Sequence, residues 1–268
     1  MIWPSPFPAV ASYLESILLQ VRSMPPKLEM LTATVPGLAR LMFLKCSQQS
    51  SFRELARCFE GAYAAICKLD SPCLTTTVWD EYNKRLENSL LPSPKFSFLN
   101  DSLIRQTMFP LCAGGQWLAE ELEYLECRIS RSELKRVLEE EYVGLPALVH
   151  SPYLTSHNSV HHLYHLTRFS SATGVKLDEV RRIVEWGGGY GNLARILTRV
   201  ASNSVTYIII DTPLLSCLQW LYLSTVLGEG DVKLLKMPGD NIQPGAINLV
   251  PLAMLKHARV EGELFVST

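Results

Sequence analysis

The sequence predicts an α/β fold in which a parallel sheet follows a mainly α-helical N-terminal region. Three observations carry this prediction. Residues 182–186, 205–210 and 263–267 are short runs rich in apolar and β-branched residues, as buried strands are. Helical periodicity occupies much of the sequence between these runs, and a glycine-rich stretch follows the first of them. Alternation of this kind produces a parallel sheet with helices on its faces.

The character of the sequence changes near residue 150, which divides the 268 residues into a helical N-terminal region, 1–150, and an α/β domain, 151–268. The helical region is expected to cover the acceptor side of the α/β domain. A connection is predicted around Pro94. Helices are predicted at residues 11–21, 52–68 and 116–127, and from a Ser130–Glu133 capping box to Gly144.

The second region has start and stop signals for most of its elements. Thr212 and Pro213 suit the beginning of a helix and Gly228 suits its end. The position of the next strand is undecided, because residues 232–235 and 247–250 both have the composition of a strand. The expected order is helix 155–169, strand 182–186, helix 192–200, strand 205–210, helix 213–227, one or both of these candidates, and strand 263–267.

Composition narrows the expected partners and location. The net charge of −1 provides no basic excess, so neither nucleic acid nor an anionic membrane surface is expected as a partner. The seven cysteines are scattered without a C-x-x-C pair, which predicts reduced thiols in a cytoplasmic protein and no metal site. The first 21 residues lack a basic start and contain three prolines, so membrane insertion is not expected.

A glycine-rich turn, Glu185 to Gly191, lies between the strand at 182–186 and the helix that begins at Asn192. Ligands of open α/β sheets bind beyond the carboxyl ends of the strands, so a ligand is expected here. Glycine allows the backbone to approach a ligand closely, because a Cβ would fill the space. The helix N-terminus adds N–H groups and a positive dipole end, which suit a carboxylate or a phosphate.

The spacing of the glycines distinguishes two cofactor classes. A dinucleotide fingerprint needs G-x-G-x-x-G, but the third glycine position counted from Gly187 holds Asn192. Gly187, Gly189 and Gly191 instead form G-x-G-x-G, with Glu185 two residues before it. This form is typical of methyltransferases that bind S-adenosylmethionine, where Glu185 would engage the cofactor's ammonium group directly or through water.

Asp211 ends the second strand and completes the predicted site. An ionised carboxylate accepts hydrogen bonds only, so it suits both hydroxyls of a ribose. Dehydrogenases use the same position, and an NAD(P)-binding oxidoreductase therefore remains an alternative, as does a non-catalytic protein that retains the fold. The residues predicted to bind S-adenosylmethionine are Glu185, Gly187, Gly188, Gly189, Gly191 and Asp211.

These motifs resemble the sugar O-methyltransferase family. The resemblance is carried by Val184 to Leu193, Tyr207 to Leu214, Leu218 to Ser224 and an upstream run from Gly144 to Leu166. It implies a Rossmann-like class I methyltransferase fold, S-adenosylmethionine as cofactor, and a sugar or glycan hydroxyl as the small-molecule acceptor. Family members continue beyond the strand that ends at Ser267, so the resemblance also implies that this sheet is incomplete at its C-terminal end.

The catalytic residue is left open. A general base would assist transfer to an unactivated hydroxyl, and the nearest candidates in the sequence are His157, His161, His162 and His165. Packing or hydrogen bonding is favoured for them over a role as base, and metal binding is the least favoured. Asp240 and Asn241 are interpreted as turn residues rather than as contacts to adenine. Trp186 and Tyr190 suit either the cofactor site or the core.

Overall fold

The computed structural model of the protein describes residues 47–69, 75–108, 116–148, 153–201 and 205–267. All of these residues belong to one compact unit, Lys45–Thr268. The helix predicted at residues 11–21 lies outside the described residues. Within the described part of the chain, no helix has the length and apolar character needed to span a bilayer.

A five-stranded parallel sheet forms the centre of the unit. Its strand order is β3-β4-β2-β1-β5, and each neighbouring pair is parallel. The strands predicted near 182, 205 and 263 are confirmed. The two candidates for the intervening strand both form strands and pair with each other. The strands are β1 (Arg182–Trp186), β2 (Thr206–Asp211), β3 (Val232–Leu234), β4 (Ile247–Pro251) and β5 (Leu264–Ser267).

Helices begin and end largely where local signals predict. Ser156 accepts a hydrogen bond from the Ser159 N–H, and Gly174 ends that helix in the left-handed conformation, with φ 75°. Residues 47–56 are also helical. The named helices are α1 (Phe59–Cys67), α2 (Thr77–Leu90), α3 (Ser102–Met108), α4 (Gln116–Glu126), α5 (Arg131–Leu138), α6 (His157–Thr173), α7 (Asn192–Val200) and α8 (Pro213–Leu227).

Two predictions for the N-terminal region were wrong in detail. The helix predicted at 52–68 is interrupted at residues 57–58. The helix that starts after Ser130 ends at Leu138 instead of Gly144. The reason for the early end is tertiary: Glu140 donates its N–H to the Leu154 carbonyl at 3.0 Å and turns its carboxylate into the protein, which a continued helix would not allow.

The two faces of the sheet belong to different apolar clusters. Ile183, Tyr207 and Ile209 lie in the larger cluster with α7, α8 and the N-terminal helices, whereas Val184 and Ile208 lie in a smaller one. This division follows from the alternation of side chains along a strand. The larger cluster takes residues from both sides of position 150, so the two regions share a core. The domain boundary at that position stays a prediction.

Candidate functional site

The glycine turn lies at the point where the sheet reverses its winding. From β1 the chain passes to β2 and β4 on one side, and it later returns to place β5 on the other side of β1. In open α/β sheets, such a reversal opens a crevice at the carboxyl ends of the strands. Gly187, Gly189 and Gly191 follow β1 directly with φ values of 78°, 56° and 96°. Glycine is therefore required there by the backbone itself.

Glu185 lies beneath this turn and is fully buried, with 0% of its surface exposed. The Tyr207 hydroxyl donates to Glu185 Oε2 at 3.0 Å. A Cβ on Gly188 would lie 3.2 Å from Glu185 Oε2 and 2.6 Å from the Ile209 side chain. Gly188 therefore has no room for a side chain, because the protein's own atoms fill the space below the turn.

The other glycines have different surroundings. A Cβ on Gly191 would approach Leu223 Cδ1 to 2.9 Å, so this glycine allows α8 to pack closely against the turn. Among the described residues, a Cβ on Gly189 would meet Met108, at an ordinary 3.7 Å. Close packing thus explains two glycines that were predicted to make room for a ligand. For Gly187 and Gly189, it stays a prediction that glycine makes room for a ligand.

Helices of the N-terminal region border this carboxyl edge. Met108, the last residue of α3, is the side chain nearest to the position of a Cβ on Gly189. Asn83 of α2 accepts a hydrogen bond from the Thr212 hydroxyl at 3.2 Å, directly after β2. The edge is therefore partly covered by residues that precede the α/β region.

Asp211 meets the turn from the end of β2. Its carboxylate accepts hydrogen bonds from the Thr212 N–H at 2.8 Å, from Gln219 Nε2 at 2.7 Å and from the Gly188 N–H. Only 7% of the residue is exposed. Burial raises the pKa of Asp211 to about 7, and the three hydrogen bonds offset that rise only in part.

The two acids thus share one face of the sheet and both reach Gly188. Glu185 pairs in register with Ile209, and Asp211 follows Ile209 by two residues, so their side chains point to the same side. The structure brings the predicted acids and the glycine turn into one constellation. Sequence reasoning missed Gln219, which also belongs to it: its amide donates to both Asp211 and the Gly189 carbonyl.

The two aromatic residues of the motif have separate environments. Tyr190 is buried, receives a hydrogen bond from Asn158 Nδ2 at 3.2 Å and packs edge-on against Tyr222 at 5.1 Å between ring centroids. Trp186 is 38% exposed at the end of β1. Tyr190 is therefore a core residue, and Trp186 is the aromatic side chain of the motif that is accessible at this edge.

A buried ion pair supports the helix that follows the turn. Arg195 Nη2 lies 2.9 Å from Glu140 Oε1, and both side chains are almost completely shielded from solvent. Burial raises the pKa of Glu140, but Arg195 and hydrogen bonds from Ser156 and Ser159 outweigh it and hold the pKa below its usual range. Arg195 also donates to Asn192 Oδ1 at 2.8 Å, which links this network to the first residue of α7.

Two histidines of α6 contact side chains of neighbouring helices, α4 and α7. His161 Nδ1 lies 2.6 Å from Glu121 Oε1 on α4, and His161 Nε2 lies 3.1 Å from His165 Nε2. His162 instead contacts Asn192 at 3.1 Å, and burial is the main cause that lowers its pKa to about 3. A group with so low a pKa is a weak base at neutral pH, whereas His161 has the carboxylate partner that commonly orients a catalytic imidazole.

Comparison with protein-family models, with curated proteins and with solved structures finds no match for this chain. The structure by itself shows an α/β protein with a parallel five-stranded sheet, compatible with a Rossmann-like fold. The resemblance to sugar O-methyltransferases, the cofactor and the activity therefore stay predictions.

Two other features of the described residues bear on where a ligand would bind. No group of three or more His, Cys, Asp or Glu side chains is arranged there to hold a metal ion. A groove of about 620 Å³ lies at the amino ends of the strands, between Arg182, Thr206 and Glu261. It is at the opposite edge from the glycine turn, whereas ligands of open α/β sheets bind at the carboxyl edge, so we place the candidate site at the turn.

Asp240 forms a turn, as expected. Its Oδ2 accepts hydrogen bonds from the N–H groups of Lys236 at 2.7 Å and Met237 at 3.1 Å. These two hydrogen bonds close the loop after β3, so the carboxylate has a structural role there.

Proposed function

We propose that this chain binds S-adenosylmethionine at the glycine turn and transfers its methyl group to a hydroxyl of a small-molecule or glycan acceptor. One observation carries the proposal: Glu185 and Asp211 approach Gly188 from the same face of the sheet, at the point where the winding of the sheet reverses. A nucleoside with a positively charged centre suits a turn that has two carboxylates close to it.

Different residues of the site would bind different parts of such a cofactor. Asp211 would bind the ribose, and the N-terminus of α7 would attract the cofactor's carboxylate through its N–H groups and dipole. Glu185 is buried beneath the turn, so its charge would favour the cofactor's positive groups from below instead of through direct contact. Met108 lies next to Gly189 and would contact the cofactor or move away from it.

Bound S-adenosylmethionine supplies an activated methyl group for transfer to oxygen. The remaining task of the protein is to hold the acceptor oxygen in line with that group and to exclude water, which provides much of the acceleration in reactions of this kind. A base must also receive the acceptor's proton. Among the α6 histidines, His161 is oriented by its contact with Glu121. Burial lowers the pKa of His162, which makes His162 a poor candidate for the base.

The NAD(P) alternative is disfavoured by Asn192. A dinucleotide turn needs glycine at this position, but Asn192 is buried and its Oδ1 accepts two hydrogen bonds from Arg195. The sugar or glycan nature of the acceptor depends on the family resemblance alone, and so does the expected family membership.

Titration calorimetry tests the cofactor. The chain is titrated with S-adenosylhomocysteine, the product form of the cofactor, and separately with NADH and NADPH. We expect binding of the first only, weakened by roughly 1–3 kcal/mol in Asp211→Asn, the usual loss for a hydrogen bond to a charged group. Glu179→Gln is the control, because among the described residues the Glu179 side chain forms an exposed ion pair with Lys176.

Binding of a nicotinamide cofactor without S-adenosylhomocysteine would overturn the proposal. Transfer is then measured with methyl-labelled S-adenosylmethionine over a panel of sugars and glycans. Tight cofactor binding with no transfer to any member of the panel would favour a non-catalytic binding protein.

A further inference from the structure

Gln219 links Asp211 to the glycine turn of the candidate site. It lies on α8, eight residues after Asp211, and none of its surface is exposed. Its Nε2 donates to Asp211 Oδ2 at 2.7 Å and to the Gly189 carbonyl at 3.0 Å. One amide group therefore connects the end of β2 with the glycine turn.

The other end of the same amide is unsatisfied. Gln219 Oε1 is buried and has no hydrogen-bond partner among the described residues. A buried acceptor in this state has lost its hydrogen bonds to water without replacement, and native proteins leave few such groups. While Asp211 is ionised, turning the amide over would not remove the problem, since Oε1 would then face the Asp211 carboxylate and the Gly189 carbonyl, both of which are acceptors.

The Asp211 carboxylate, in contrast, already accepts nearly as many hydrogen bonds as it can. It already accepts from Thr212, Gln219 and Gly188, and a carboxylate has about four lone-pair sites. It therefore has room for about one further donor. A ribose presents two adjacent hydroxyl donors, so Asp211 alone would have to give up one of its protein partners to bind both.

We propose that Gln219 is the second ribose-binding residue of this site, with one ribose hydroxyl donating to Asp211 and the other to Gln219 Oε1. This inference rests on the proposed function, because it specifies how the same site recognises a nucleoside. It replaces the expectation that Asp211 accepts both hydroxyls. The amide has a double role: its Nε2 holds Asp211 and the turn in place, and its Oε1 accepts a hydrogen bond from the ribose.

The test compares nucleosides that differ by single hydroxyls. Calorimetry measures binding of adenosine, 2′-deoxyadenosine and 3′-deoxyadenosine to the unaltered chain, to Gln219→Met and to Gln243→Met, which makes the same change at an exposed site. We expect the unaltered chain to prefer adenosine over at least one deoxynucleoside. Gln219→Met should reduce that preference by about tenfold, the effect of one hydrogen bond, and Gln243→Met should preserve it.

The outcomes separate this inference from the proposed function. If S-adenosylhomocysteine binds but Gln219→Met weakens all three nucleosides equally, Gln219 only holds the turn and the inference is wrong. The same conclusion follows if the unaltered chain does not distinguish the nucleosides. If neither S-adenosylhomocysteine nor any nucleoside binds the unaltered chain, both proposals fail. A urea transition checks that Gln219→Met folds, and Gln219→Asn, which withdraws the amide by one methylene, replaces it if it does not.

Discussion

The buried carboxyl of Asp211 should make the stability of this protein depend on pH in an unusual direction. Burial raises its pKa from the ordinary 3.8 to about 7 in the folded chain. Between these two values the folded state holds a proton that the unfolded state has lost. Stability from this group is therefore full below about pH 4 and is lost as the pH rises through about 7.

The size of the effect follows from the shift. A change from 3.8 to about 7 corresponds to about 4 kcal/mol over the whole range, at 1.36 kcal/mol per pKa unit. Between pH 5 and pH 7 the linkage relation gives a loss of about 2 kcal/mol. In Asp211→Asn this contribution is absent, because the amide does not titrate.

Urea denaturation at several pH values between 5 and 8 measures the difference. The free energy of unfolding of the unaltered chain, relative to Asp211→Asn, should fall by about 2 kcal/mol from pH 5 to pH 7 and then level off. Glu179→Gln should follow the unaltered chain throughout. Parallel curves for the unaltered chain and Asp211→Asn would show that the hydrogen bonds to Asp211 balance or outweigh its burial.

Three further predictions concern packing, a buried ion pair and a helix cap, each measured by urea denaturation. Gly191→Ala should cost about 2–4 kcal/mol, because it combines a positive φ with overpacking, while Gly230→Ala, with no atom near its Cβ, should change stability by less than about 0.5 kcal/mol. Arg195→Met should cost about 3–5 kcal/mol by leaving Glu140 buried without its ion pair, and adding Glu140→Gln should recover part of this loss. Ser130→Ala should cost about 1 kcal/mol through loss of the helix cap, and a change below about 0.3 kcal/mol would contradict that role.

Adjacent residues were sufficient to predict the strands and helices around the candidate site. The run at 205–210 is apolar and β-branched throughout, and Pro213 and Gly228 mark the ends of α8, so their positions follow from properties of the local chain. The sequence also determines that the turn is rich in glycine and that an acid lies at the end of each of the first two strands. These features depend on neighbours a few residues apart, which a single sequence displays directly.

The tertiary structure alone decided the partners of these residues. Gln219 reaches Asp211 and Gly189, and Arg195 reaches Glu140, across segments that the sequence separates. The need for glycine at residue 191 comes from Leu223, which is likewise distant in the chain. Such contacts depend on how helices pack against a finished sheet, and side-chain periodicity gives the buried face of an element but not the particular atom that it meets there.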